Sequence, residues 1–502
     1  MKNFKGIVIF TGLTGLMAAC TNSPAEKKEQ KSSDISKAPN IILLVSDDHG
    51  RGDLGCWGNQ AVRTPNLDAL ASEGVRMTNA YCTSASCSAS RSVILTGIYN
   101  HANGQYGHQH AFHHFSAFSG IKSLSGILSD NGYATARAGK YHLAPEEVFR
   151  FDTVLSYDNR NDVEMAATCR NFIEKAGEPF FLYFCSDNPH RSGEYATNLP
   201  GKPNRFGNRD EGYPGVQTHV FNPDSVIVPP YLPDTPECRA ELAQYYQSVD
   251  RMDQGIGKIL SYVRESGKWD NTVIIYISDN GIAFPGAKTT LYDPGMHLPC
   301  IVKYPGSKNT GGASDAMITW ADITPTLLDF AGILPTDNTI PGMEGKEPPQ
   351  HWKVPYYVKF QGHSFKDALD DEHPKRFDEI FASHTFHEIT MYYPMKVVQN
   401  RHYKLIWNVA WQLPYPHATD LWSSPTWQSA LNSGTGLYAG KKISVYNHRP
   451  QFELYDMQKD PDELHNLAKN QAYADTLNRL KERIKYYQEK TNDPWISKWD
   501  HE

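Results

Sequence analysis

No CxxC pair occurs among the eight cysteines, at 20, 56, 82, 87, 169, 185, 238 and 300, so the spacing of a zinc knuckle or a thioredoxin-like redox centre is missing. Positive charge is not in excess either: 49 Lys and Arg stand against 56 Asp and Glu, a formal charge of −7. A generic nucleic-acid binder, whose affinity rests on Lys and Arg neutralising phosphates, is therefore disfavoured, and so is a long basic groove for any polyanion. Internal repeats are absent, and past the N-terminus no segment is long and apolar enough to span a bilayer. What remains is a chain of 502 residues with 12% aromatics, which is long enough to bury a large core and too aromatic for disorder. At roughly 150 residues per domain it holds two or three domains, or one large domain with an appendage.

The N-terminus has the layout of a secretory signal over residues 1–19: Lys2 and Lys5, an apolar run from Gly6 to Ala19, then small residues. Met17-Ala18-Ala19-Cys20 resembles a bacterial lipoprotein cleavage site, with Met17 where Leu is usual. The expectation is export to the periplasm or cell surface, with the membrane touched only through a lipid on Cys20. Residues 20–38 are polar and read as a flexible tether. With Cys20 and Cys87 set aside for chemistry, six cysteines are left, either paired outside the cytosol or scattered as buried thiols.

From residue 40 to about 330, strand-like and helix-like segments alternate, and the catalytic domain is read as residues 39–380. Asn40 to Val45, Phe180 to Cys185 and Thr272 to Ile277 are short apolar runs of the kind buried on both faces of a sheet. Thr64-Pro65 and Thr324-Pro325 predict helix starts. Apolar residues at 242, 245, 249, 252, 256, 260 and 263 predict a long amphipathic helix over 239–266. Such alternation implies an α/β domain with a mostly parallel sheet flanked by helices. Residues 335–375 read as a long irregular connection. Over 381–502 the pattern changes to a smaller α+β region: an antiparallel hairpin from Met395 to Trp407, a strand at Phe452–Tyr455 and a terminal helix from Ala472 to Gln488.

Ligands of open α/β sheets sit outside the carboxyl ends of the strands. Two apolar runs end there in acidic clusters, Ser46-Asp47-Asp48 and Ser278-Asp279-Asn280-Gly281. Asp and Asn at strand ends are commonly turn formers. Four oxygen-bearing side chains at two strand ends also suit a hard divalent cation such as Ca²⁺. Cys87 reads equally as a buried residue opening a short helix or as a thiol nucleophile activated by the helix N-terminus.

Cys87-Ser88-Ala89-Ser90-Arg91, followed by Leu95-Thr96-Gly97, resembles the signature of the formylglycine-dependent sulfatases, Cys-x-Ala/Pro-x-Arg and then Leu-Thr-Gly. Gly139-Lys140-Tyr141-His142-Leu143 is similar to the family's Gly-Lys-x-His-Leu element, and Asn188-Pro189-His190 to its second histidine segment. The resemblance narrows to the N-sulfoglucosamine sulfohydrolase (sulfamidase) branch through Asn103–His108, His113-His114-Phe115, Pro189-His190-Arg191, Arg251–Gly255, Phe284-Pro285, His387-Glu388 and Asp493-Pro494-Trp495.

That resemblance implies an alkaline-phosphatase-like sulfatase fold with a smaller C-terminal α+β domain carrying an antiparallel sheet. It implies that a formylglycine-generating enzyme oxidises Cys87 to formylglycine, whose hydrate attacks sulfur. It implies one Ca²⁺ held by Asp47, Asp48, Asp279, Asn280 and modified Cys87, with Arg91, Lys140 and Lys288 neutralising charge. His190 would protonate the leaving amine, and His142 would take a proton as the hydrate collapses. Arg191, His387 and Glu388 would contact the sugar. The implied substrate is the N-sulfate of a non-reducing-end glucosamine in a sulfated glycosaminoglycan oligosaccharide, and related enzymes imply a homodimer. An O-sulfatase on another sulfated sugar and a non-catalytic surface glycan-binding lipoprotein are the alternatives. The sequence departs from the sulfamidase pattern at Lys288 (Arg there), Asn188 (Asp there) and Ser192, which replaces a cysteine and removes a disulfide. His297 stands where many other sulfatases have Arg.

Overall fold

The computed structural model describes residues 38–156, 160–191, 205–346 and 356–501. The signal, the tether through residue 37, Cys20 and Ser192 lie outside the described residues. Eight strands form the main sheet: β1 (Asn40–Ser46), β2 (Val75–Tyr81), β3 (Ala134–Gly139), β4 (Thr153–Leu155), β5 (Phe180–Cys185), β6 (Thr272–Ser278), β7 (Cys300–Lys303) and β8 (Ala313–Thr319). Their order is β4-β3-β5-β1-β6-β7-β2-β8, and only β7 runs antiparallel to its neighbours. The central strands β1, β5 and β6 are buried along their whole length, as their unbroken apolar runs require. Each fully buried Ile, Leu or Phe there contributes about 1.5–3 kcal/mol of hydrophobic stabilisation.

The long helix spans Pro236–Glu265, three residues earlier than the periodicity predicts, because the Thr235 hydroxyl caps the amide of Cys238 and Pro236 fits the first turn. The predicted start at Thr324-Pro325 is corrected. The helix is Ile323–Phe330, and the capping is done upstream by Thr319 and Asp322 in a reciprocal box on the preceding short turn. Thr324 instead donates to the carbonyl of Ile94, tying this helix to the helix Cys87–Thr96.

A second, antiparallel sheet of four strands follows, with β9 (Glu379–His384), β10 (Met395–Asn400) and β11 (Tyr403–Asn408). After a short ladder of β12 (Leu437–Tyr438) and β13 (Lys441–Lys442), β14 (Phe452–Asp456) completes the order β14-β11-β10-β9. The terminal helix Ala474–Lys490 packs against it. Main-chain bonds from Ser383 to Thr83 and from His108 to His387 hold this sheet's leading edge against the first. All the described cysteines are free thiols.

Candidate active site

The register of the parallel strands brings the site together. Ser46 lies opposite Ser278, Val45 opposite Cys185, and Cys185 opposite Gly139. The four adjacent strands β3, β5, β1 and β6 therefore present Lys140, Asp187 with His190, Asp47 with Asp48, and Asp279 with Asn280 in one row at their carboxyl ends. Two glycines make the turns feasible. A Cβ on Gly139, which has φ +86°, would lie 1.8 Å from the Cys185 carbonyl oxygen, and one on Gly281 would lie 1.9 Å from that of Pro294. Asp48 (φ 66°) and His142 (φ 52°) adopt the left-handed region without being glycine, a cost that surrounding packing sustains at functional sites.

Cys87 opens a helix whose ten residues, Cys87–Thr96, are all buried. Its Sγ lies 3.4 Å from Asp47 Oδ1 and 3.9 Å from Asp48 Oδ1. Four turns of logic in the sequence thus converge: one ligating atom each from Asp47, Asp48, Cys87 and Asp279 falls within 4.8 Å of the others. Arg91, one turn along the same helix, donates from Nε to Asp279 Oδ2 (2.9 Å), and its Nη2 lies 2.8 Å from the same oxygen as an ion pair. Lys140 pairs with Asp47. Lys288 reaches Asp48 Oδ2 at 2.9 Å and Asp420 Oδ2 at 3.2 Å.

The donor set fits a hard divalent cation. Asn280 donates its amide nitrogen to Asp48 Oδ1 (2.6 Å), while its own Oδ1 is buried without a hydrogen-bond partner. Burial would raise Asp48, but Lys288 and His190 hold its carboxyl down to about 2. Asp279 is pushed up to about 7 by burial, and the carboxylates of Asp47 and Asp48 add to this against the pull of Arg91. A divalent ion at the cluster would offset the repulsion among the three carboxylates and favour their ionised forms.

Above this floor lies a cavity of about 350 Å³, lined by Cys87, Lys140, His142, His190, Arg191, Lys288, His387 and Glu388 among others. Every residue anticipated in catalytic or sugar-binding roles except Arg91 therefore lines it, and Arg91 sits beneath. His190 engages Asp48 Oδ2 through Nδ1 at 2.6 Å. Burial, then Lys288 and Lys140, lowers its pKa against the opposing pull of Asp47 and Asp48. Three anticipated sugar contacts are more constrained than expected. Arg191 is clamped between Phe206 and Phe284, donates Nε to the Ala283 carbonyl and pairs with Glu241, leaving only Nη2 without a partner. His387 has Nδ1 on Ser86 Oγ (2.9 Å) and Nε2 on His108 Nε2 (3.0 Å). Glu388 accepts from the amide and hydroxyl of Thr419.

Asn188 does not line the cavity. Its Oδ1 accepts from Ser248 and Arg251, and its Nδ2 donates to Asp162. His297 is likewise turned away, toward Asp293 and the Thr78 carbonyl. The sequence reading missed His108, His110, His113, Asp187, Arg205, Thr419, Asp420 and Ser423 as cavity residues. Asp187 offered the best signal, since it sits at a strand end beside the Asn188-Pro189-His190 segment.

A family model described as "Sulfatase" matches residues 39–333, and a second, "N-sulphoglucosamine sulphohydrolase, C-terminal", matches residues 435–490. The chain belongs to the sulfatase family, whose members generally use formylglycine and a divalent metal, and it is a hydrolase of sulfate or sulfamate groups. Within that family it is 36% identical over 474 residues to N-sulphoglucosamine sulphohydrolase of Homo sapiens, covering 91% of each chain. A structure solved in complex with its substrate D-glucosamine-2-N,6-O-disulfate matches with a TM-score of 0.61 at 22% identity, over 91% of this chain and 99% of the other. The phosphonate monoester hydrolase of Agrobacterium radiobacter matches at 0.62 and 18%, over 90% and 96%. The fold, then, is shared with a hydrolase of phosphonate monoesters.

Proposed function

We propose that this protein removes the N-sulfate from a non-reducing-end glucosamine of heparin or heparan sulfate fragments. The observation that carries the reading is Cys87 Sγ at 3.4 Å from Asp47 in a three-carboxylate cluster, at the floor of a cavity walled by Lys140, Lys288 and His190. Its likeness to the human sulphohydrolase extends over 91% of the chain and so includes the C-terminal wall that meets the sugar. Asp47, Asp48, Asp279, Asn280 and residue 87 would hold a Ca²⁺ ion, which would polarise the sulfate group, and a formylglycine hydrate made from Cys87 would supply the nucleophilic hydroxyl.

The remaining work belongs to the chain's own side chains. Lys288 and Lys140 receive the anionic group and offset charge that develops on it. Arg91 holds Asp279 in place from below. An amine leaves poorly until protonated, so a general acid is needed. His190, oriented through Nδ1 by Asp48, delivers that proton from Nε2. His142 holds the proton released at residue 87, its Nδ1 being buried and without a partner. Glu388 orients the sugar, and Arg191 and His387, held by their own partners, shape the wall it meets. The cavity's size supports acceptance of one terminal sugar rather than a chain threaded through. Cys20 serves as the lipid-bearing residue of an exported form.

The test is sulfate release from N-, 6-O- and 3-O-sulfated glucosamine compared side by side, with the mass of the residue-87 peptide read in parallel. Preference for the N-sulfate and an aldehyde mass at position 87 are expected. Preference for an O-sulfate assigns the enzyme to that alternative, and full activity in Cys87→Ala would sink the mechanism.

A further inference from the structure

Above the acidic floor, the cavity carries a second group of metal-ligating side chains, two of which have no task in the reaction just described. His108, His110 and His142 each place one ring nitrogen so that the three lie within 4.8 Å of one another. The ring of His110 stacks on that of His142, with centroids 4.4 Å apart and planes 30° from parallel, and lies 4.7 Å from that of His108. Nδ1 of His110 and Nδ1 of His142 are both buried and both lack a hydrogen-bond partner. An unmet buried polar atom costs about 1–3 kcal/mol, and two of them side by side are best served by one shared partner. Burial, then neighbouring cations and imidazoles, keeps all three rings neutral: His110 is pushed down to about 4, and the other two lie well below the usual histidine range. Nδ1 of His110 and of His142 is therefore available, and His108 would exchange its contact with Ser88 Oγ (3.5 Å) or His387 Nε2 (3.0 Å) for a metal bond.

The two clusters in this cavity are sorted by chemistry. The floor offers oxygens, which suit Ca²⁺, and the wall offers three imidazoles, which suit zinc, copper or nickel. Three nitrogens with a fourth position open to the cavity is a familiar zinc arrangement, and nitrogens within 4.8 Å of one another would have to draw closer to reach ligand distances of about 2.0–2.1 Å. We propose that His108, His110 and His142 form a transition-metal site of the zinc class on the cavity wall, whose occupancy shuts the enzyme down by taking His142 out of proton handling and filling the sugar's place.

The experiment uses the holoenzyme in saturating Ca²⁺. Co²⁺ is titrated in by visible absorption, Zn²⁺ inhibition is measured, and wild type is compared with His110→Ala and His110→Gln, each against its own zinc-free rate. The expected result is one equivalent of Co²⁺ with ligand-field bands and no thiolate charge-transfer band. Zn²⁺ inhibition should weaken by at least about tenfold in both variants, a size that even an outer-sphere contact to a metal ligand can carry, and extra Ca²⁺ should not relieve it. The proposal is overturned by equal Zn²⁺ sensitivity in wild type and variants. A thiolate band, or relief by Ca²⁺, overturns it as well, since either places the ion on the floor cluster. Co²⁺ binding needs no substrate, so this outcome is separate from that of the substrate test.

Discussion

Two buried charge clusters behave in opposite ways in this molecule. Lys396 and Asp493 pair at 2.6 Å, both fully buried, and the pair is closed: Ser383 and the face of Trp495 meet the lysine, and Gln488 and the Trp495 amide meet the carboxylate. The catalytic cluster is as deeply buried, yet it crowds Asp47, Asp48 and Asp279 together, leaves Asn280 Oδ1 unmet and opens upward into a cavity. A buried ion pair is in general weak evidence for stability, because desolvation offsets its attraction. What distinguishes the two is satisfaction. A closed pair ties β10 to the C-terminal segment, whereas an unsatisfied cluster with an open side is built to take a ligand.

Removing the nucleophile should separate function from stability most completely. Cys87→Ala is expected to lower sulfate release by about four orders of magnitude or more, with an unchanged melting transition. Stripping divalent cations with a chelator should abolish turnover, and Ca²⁺ should restore it, without weakening the Lys396–Asp493 pair. That pair is followed by amide hydrogen exchange in β10. The sharpest contrast comes from matched lysine variants. Lys288→Met should cost about 10²–10³-fold in kcat with little loss of stability in the metal-loaded protein. Lys396→Met should strand Asp493 and cost about 3–5 kcal/mol in denaturant unfolding, with kcat of the folded fraction unaltered. If Lys396→Met spares stability and lowers kcat, the contrast is broken. Asp420→Asn, which removes the rim partner of Lys288, should have the smallest effect, up to about 1 kcal/mol or fivefold in kcat/KM.

The parts of this architecture that depend on local pattern were legible in the sequence. The strands β1, β5 and β6 show as apolar runs, and the acid clusters show because they terminate two of those runs. Strand order was not legible, because it depends on crossovers. Nothing local tells β7 to enter antiparallel between β6 and β2. The cavity wall was harder still. Asp420 meets Lys288 across 132 residues, and His387 meets Ser86 across 301. His108 ends a segment the resemblance singled out and His110 lies just past it, but among twenty histidines nothing marked those two until the fold stacked His110 on His142 and set His108 edge-on to it. Arg191 shows the converse: its residue type suggested sugar contact, and its packing between two phenyl rings reveals a largely structural duty.

The helix Cys87–Thr96 is buried along its whole length, with Arg91 pinned to Asp279 and Ser90 to the Asp279 carbonyl. A modifying enzyme that must grip the chain around residue 87 has no access to it once these contacts exist. On the proposed chemistry, maturation is therefore an event of biosynthesis, completed before the core closes. On that reading, a molecule that folded first would keep its thiol, and the active fraction of a preparation would follow the order of folding and modification.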